Sequence, residues 1–106
     1  TLPGTHGYES LPLTEITHLQ GSDNYSTFYL SNQKRYVVAK TLKEYEELLA
    51  QSGFMRVHKS FLVNIIYVDS LQKDESTEIY LKDGISIPVS RRRLNEVENW
   101  IKQNSI

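Results

Sequence analysis

The sequence contains no cysteine, which excludes disulfide bridges and thiolate metal sites. A reducing, cytoplasmic setting fits that absence. No apolar run approaches the roughly 20 residues needed to span a bilayer as a helix, and no signal-peptide pattern opens the chain, so no membrane partner is expected. Glycine is scarce, five in 106 residues, and none falls in a Walker-type or dinucleotide-binding pattern. The three histidines, His6, His18 and His58, lack metal-ligand spacing, and no cofactor is expected. A basic surplus is missing as well. Twelve Lys and Arg stand against thirteen Asp and Glu, a net charge of −1, so the total offers no support for a polyanion partner.

The remaining composition is that of one soluble domain. A length of 106 residues allows a single modest core, and 39% hydrophobic with 24% charged residues is ordinary for a globular fold. The chain opens on Thr1 rather than Met, and a piece of a longer protein is expected. Charge is distributed unevenly. No Lys or Arg precedes Lys34, whereas Glu9, Glu15 and Asp23 do, and Asp69 to Asp83 is a second acidic stretch. Positive charge collects at Lys34-Arg35, Lys40, Lys43, Arg56, Lys59 and Arg91-Arg92-Arg93. Gathered on one face, these could steer a polyanion despite the near-zero sum.

Residues 1–7, with Pro3, Gly4 and Gly7, read as a linker remnant, leaving 8–106 as the domain. Short runs with turn signals follow. Ile16–Gln20 alternates at period two and ends at the turn-forming Gly21-Ser22-Asp23-Asn24. Tyr25–Leu30 reads as a strand, with Arg35–Ala39 as its hairpin partner. Thr41-Leu42-Lys43-Glu44 is a capping box opening a short amphipathic helix on Leu42, Tyr45, Leu48 and Leu49, with Gly53 as its stop. Met55–His58, Ile65–Val68, Glu78–Leu81 and Ile85–Val89 read as further strands, the last two joined at Asp83-Gly84. Leu94, Val97, Trp100 and Ile101 give a terminal helical stripe. The expected fold class is mainly β, with one inserted short helix and a C-terminal helix.

Two stretches carry chemistry. The second helix is expected to start at Ser90 as N-cap, with Arg91, Arg92 and Arg93 in its first turn. Cations there oppose the helix dipole by about 0.3–1 kcal/mol each when exposed, and a bound phosphate would reverse that sign. Pairing of Arg92 with Glu96 is the plainer reading. In Arg56-Val57-His58-Lys59-Ser60, Arg56, His58 and Ser60 would share one strand face, and a turn after His58 would release Lys59 and Ser60 outward. Arg and Lys suit phosphate or guanine O6 and N7, while Ser and His suit the nucleic-acid backbone. The same charges equally suit a strand edge guarded against aggregation. His58, Ser60 and Asp69 lack the nucleophile elbow of a hydrolase, so an enzyme is the least supported reading. Two alternatives stand beside duplex binding: a single-strand or RNA binder stacking bases on Tyr25, Tyr29 and Tyr36, and an interaction module whose arginines take an acidic partner.

Taken in order, Gly21–Tyr25, Thr41–Glu46, Gly53–Asn64, Asp83-Gly84 and Pro88–Arg93 resemble the LytTR family over roughly Tyr8 to Ile101. The resemblance implies an elongated β-sandwich of short antiparallel strands that binds duplex DNA sequence-specifically. It also implies the output half of a bacterial two-component response regulator, behind an N-terminal receiver domain, acting on paired direct repeats through loops in successive major grooves. By position, Lys59 and Arg92 become candidate base readers, Asn24 a reader of adenine or a phosphate contact, and Arg91 and Arg93 lie nearer the phosphates. Arg56, His58 and Ser60 become residues that position the DNA backbone, and Asn64 is assigned to holding the turn. The turn Ser31-Asn32-Gln33 lacks a glycine often found there, which puts that loop's shape in doubt.

Overall fold

The structure, a computed structural model, describes residues 2–4 and 7–104. The leader read over 1–7 lies partly outside the described residues; where described, β1 (Leu2–Gly4) pairs antiparallel with β2 (Gly7–Glu9). After a 3₁₀ turn at Leu13–Glu15 come β3 (Ile16–Ser22), β4 (Tyr25–Leu30) and β5 (Arg35–Val38), a meander. Helix α1 (Leu42–Leu49) follows, then β6 (Phe54–His58) and β7 (Phe61–Asn64). A second layer is made by β8 (Val68–Lys73), β9 (Thr77–Leu81), β10 (Ser86–Pro88) and α2 (Leu94–Gln103). The larger sheet has the order β5-β4-β3-β7-β6 and the smaller β10-β9-β8, both antiparallel.

Two cores lie on opposite faces of the larger sheet, and β7 shows how. Adjacent residues of a strand point to opposite faces, and Leu62 and Val63 are both 0% exposed. Leu62 joins the core under α1 with Leu19, Phe28, Leu42 and Tyr45; there the Phe28 and Tyr45 rings meet edge-on at 4.8 Å. Val63 joins Val57, Ile79, Leu81, Ile87 and Val97 beneath the smaller sheet and α2. The result is an elongated sandwich, 45 × 27 × 24 Å.

The capping box forms as read. Glu44 donates its amide to Thr41 Oγ1 at 3.3 Å, and Thr41 donates its amide to Glu44 Oε2 at 3.0 Å. Gly53, the expected stop, has φ 84°, a left-handed value that favours glycine, after a 3₁₀ turn at Ala50–Ser52. In the turn lacking glycine, Gln33 itself takes φ 71°, and Asn32 Oδ1 accepts the Lys34 amide at 3.0 Å.

Two readings need correction. Ile65–Val68 is not one strand: Ile65–Tyr67 is a 3₁₀ turn, and Val68 opens β8. Phe61–Val68 is apolar almost throughout, so periodicity alone could not place the break. The buried Asn64 side chain makes it. Its Nδ2 donates to Leu13 O and Ile16 O at 3.2 and 2.9 Å, while its Oδ1 accepts the Ile66 amide at 3.3 Å. Asn64 thus holds that 3₁₀ turn against the start of β3. The second correction concerns Ser90. Arg91–Arg93 form a 3₁₀ turn ahead of α2, which starts at Leu94, and the Ser90 side chain makes no capping bond. The three arginines therefore precede the α-helix, and the dipole penalty reasoned from its first turn does not apply as stated. No helix among the described residues is long and apolar enough to cross a membrane.

Candidate nucleic-acid interface

One end of the sandwich collects the residues singled out in the sequence. The β3–β4 turn is tight, with Asp23 at φ 52° and Asn24 exposed beside it. Gly21, Ser22 and Asp23 of that segment, Thr41–Lys43 at the start of α1, and Arg56, Lys59 and Ser60 around the β6–β7 turn line a shared shallow cleft. The Gly21 amide donates to Ser60 O at 2.8 Å, joining the β3–β4 segment to the β6–β7 turn. The Ser90 amide donates to Val57 O at 3.0 Å, which seats the Arg91–Arg93 turn beside the end of β6. Asn24, Lys59, Arg91 and Arg92 are exposed at this end, and Lys43 stands with them.

The arginines divide into two kinds. Arg91 and Arg92 form no ion pair among the described residues, and Arg92 does not meet Glu96. Arg56 is enclosed. Its Nη1 donates to Glu46 Oε1 at 3.0 Å, its Nε to His58 O at 3.2 Å, and its Nη2 to Lys59 O. Arg93 packs beside it, with Nη1 3.5 Å from Arg56 O and 3.9 Å from Glu46 Oε2. Arg56, expected as a contact to the DNA backbone, is held in the wall of the turn that carries Lys59. A β-bulge between Arg56 and His58 inserts Val57 into the second core and interrupts the simple alternation assumed for this strand.

His58 and Ser60 close the turn from within. The Ser60 amide donates to His58 Nδ1 at 3.1 Å, so that nitrogen is an acceptor and carries no proton. Burial lowers the His58 pKa, and the nearby Lys59, Arg56 and Arg93 charges lower it further. Both facts keep the ring neutral at neutral pH.

Two other groupings come apart. Tyr36 pairs with Phe28 and packs on the first core, whereas Tyr29 lies on the opposite face, stacked on His18 at 4.5 Å. The three tyrosines considered as a stacking platform therefore do not share a surface. Lys34 also leaves the group: it borders a separate cleft with Tyr29, Asp83 and Ile85, at the other end of β4.

A family model for the LytTr DNA-binding domain matches residues 6–102. This chain belongs to that family. Among curated relatives, the sensory transduction protein LytT of Bacillus subtilis is 39% identical over 68 residues, covering 62% of this chain and 28% of that protein. The heme-containing CO-sensing transcriptional regulator RcoM 2 of Paraburkholderia xenovorans is 32% identical over 94 residues, covering 86% of this chain and 35% of that protein. This LytTr chain thus spans about a third of the length of such relatives. The LytTr DNA-binding domain of a Bacillus cereus response regulator superposes with a TM-score of 0.80, over 94% of this chain and 93% of that one, at 22% identity. That likeness concerns the fold: the mainly β sandwich with two helices is the LytTr fold.

Glu46 is the residue of this end that sequence reasoning missed. It belongs to an acidic helix, Glu44-Tyr45-Glu46-Glu47, and nothing in the sequence separates it from its neighbours. Only the fold sets it opposite Arg56 and Arg93.

Proposed function

We propose that this LytTr domain binds duplex DNA sequence-specifically, presenting the β3–β4 turn, the β6–β7 turn and the Arg91–Arg93 turn to the major groove. Asn24, Lys59 and Arg92 are the base-reading side chains in this reading, and Arg91 contacts phosphate. Arg56, His58, Ser60 and Arg93 hold the two C-terminal turns in place. The carrying observation is the meeting of these turns at one end of the sandwich, with Lys59, Arg91 and Arg92 exposed there. A polyanion is the natural ligand for such a surface, and Lys and Arg are the side chains suited to guanine O6 and N7.

The domain would act as the output part of a longer bacterial regulator in the cytoplasm, behind an N-terminal receiver domain and on paired direct repeats. The relatives' greater length supports a larger whole protein. Competition at fixed salt among duplex DNA, single-stranded DNA and RNA tests the central point. Preference for a duplex sequence recovered from a random library is the expected result. Stronger binding to single strands, or retention only by an acidic protein, would overturn it.

A further inference from the structure

We propose that Glu46 is a positioning residue for DNA recognition: its carboxylate bridges Arg56 and Arg93 and so sets the spacing between the Lys59 turn and the Arg91–Arg93 turn. This inference rests on the function proposed above.

An acidic side chain beside a DNA-binding surface is at first sight a disadvantage, because it repels phosphate. Its placement shows what it does. One carboxylate oxygen meets Arg56 at 3.0 Å, and the other lies 3.9 Å from Arg93. Arg56 also donates to His58 O and Lys59 O, the carbonyls of the turn itself. The guanidinium therefore works as a strut between α1 and the β6–β7 turn. Arg93 belongs to the third recognition turn and touches both Glu46 and Arg56 O. One anion from a helix that presents no base reader thus links two recognition turns.

Without that charge, Arg56, Arg93 and Lys59 stand close together as like charges. The guanidinium of Arg56 then gains by swinging outward, where a phosphate of any sequence would satisfy it. The turn carbonyls lose their donors, and Lys59 loses its fixed place.

As a stabilising ion pair Glu46 counts for little: its side chain is 36% exposed, and solvent screens pairs so placed. If it were only a nearby negative charge, removing it would tighten binding to all DNA alike. If it positions the turns, removal tightens random DNA and weakens the specific site. The two readings differ in sign on the specific duplex.

The test uses the duplex that the 106-residue chain selects from a random library, beside a random duplex of equal length. With Glu46→Gln, affinity for the selected duplex should fall about tenfold, while affinity for random duplex rises and its salt slope steepens by about one charge. Arg56→Lys keeps the charge but lacks the planar fork that spans a carboxylate and two carbonyls. It should lower the ratio of specific to random binding with little change in salt slope. Thermal unfolding is followed for both variants, and if Glu46→Gln does not fold, Arg56→Lys decides. An unchanged ratio in the folded variants overturns the inference and leaves the proposed function standing. If the unaltered chain selects no duplex at all, the proposed function fails, and this inference with it.

Discussion

The amide of Gly21 donates to the carbonyl of Ser60 across 2.8 Å, tying the approach to the β3–β4 turn to the β6–β7 turn. The contact needs close approach on the other side too. A Cβ added at residue 21 would lie 2.9 Å from Leu42 Cβ, in the first turn of α1. Both neighbours are anchored, Leu42 in the core and Ser60 in its turn. Gly21→Ala should therefore force the helix start and the strand apart, at a cost of about 1–3 kcal/mol. Urea unfolding measures this, and undiminished stability would mean that α1 shifts freely. The Gly21–Ser60 bond should loosen at the same time, seen as faster hydrogen exchange at residue 21.

Glu44 and Glu46 are two residues apart on one helix, and their predicted effects are opposite in kind. Glu44 completes the capping box through the Thr41 amide. Glu44→Ala should lower stability by about 0.3–1.5 kcal/mol, as loss of one capping element does. Under native conditions it should not weaken DNA binding, because the bonds of Glu44 go to Thr41 and to none of the three recognition turns. Weaker binding by a fully folded Glu44→Ala variant would place this carboxylate in the interface after all.

The same pair of glutamates marks what the sequence could reveal. Local signals were legible where one residue type answers one local need: the Thr41–Glu44 box, Gly53 at the helix stop, Asp83-Gly84 in the β9–β10 hairpin. The β-branched and aromatic run Tyr25–Leu30 coincides with β4. The largely apolar stretch Phe61–Val68 is not legible, because the break depends on Asn64 reaching Leu13 and Ile16, some fifty residues away in sequence. The candidate site divides in the same way. Charge and family spacing single out Arg92 and Lys59 as candidates, and both stand exposed. That Arg56 and Arg93 are enclosed while Arg91 and Arg92 are not depends on the position of Glu46 across the fold.

His18 gives a pH prediction. It is 3% exposed, stacked on Tyr29, with its Nδ1 2.9 Å from Thr17 Oγ1. Burial lowers its pKa from 6.5 to about 4, and the Asp83 carboxylate opposes that shift only in part. The folded state therefore binds fewer protons than the unfolded chain between these values. Its contribution is fully present above pH 6.5 and is lost as pH falls toward 4. The loss amounts to about 3 kcal/mol across the window. Chemical unfolding at pH 7 and pH 5 should show the slope in the native sequence and a shallower one in His18→Gln. Equal slopes would mean that other groups carry the acid sensitivity.

Arg91 and Arg92 are neighbours in one 3₁₀ turn, both exposed, and the proposed interface gives them different work. A base-reading arginine loses its preferred base pair on truncation; a phosphate-binding one loses affinity for every sequence alike. Arg92→Ala should therefore cost about 1–3 kcal/mol on the selected duplex and relax preference at one position, with a smaller effect on random DNA. Arg91→Ala should weaken both duplexes by a similar factor and reduce the salt slope by about 0.9, the release of one counterion. Titrations at several salt concentrations, with both duplexes and both variants, separate these outcomes. If the two patterns exchange, Arg91 is the reader and the turn is rotated on the DNA relative to this proposal. If neither variant changes affinity or slope, the Arg91–Arg93 turn lies off the duplex, and the interface must be sought around Lys59 and Asn24 alone.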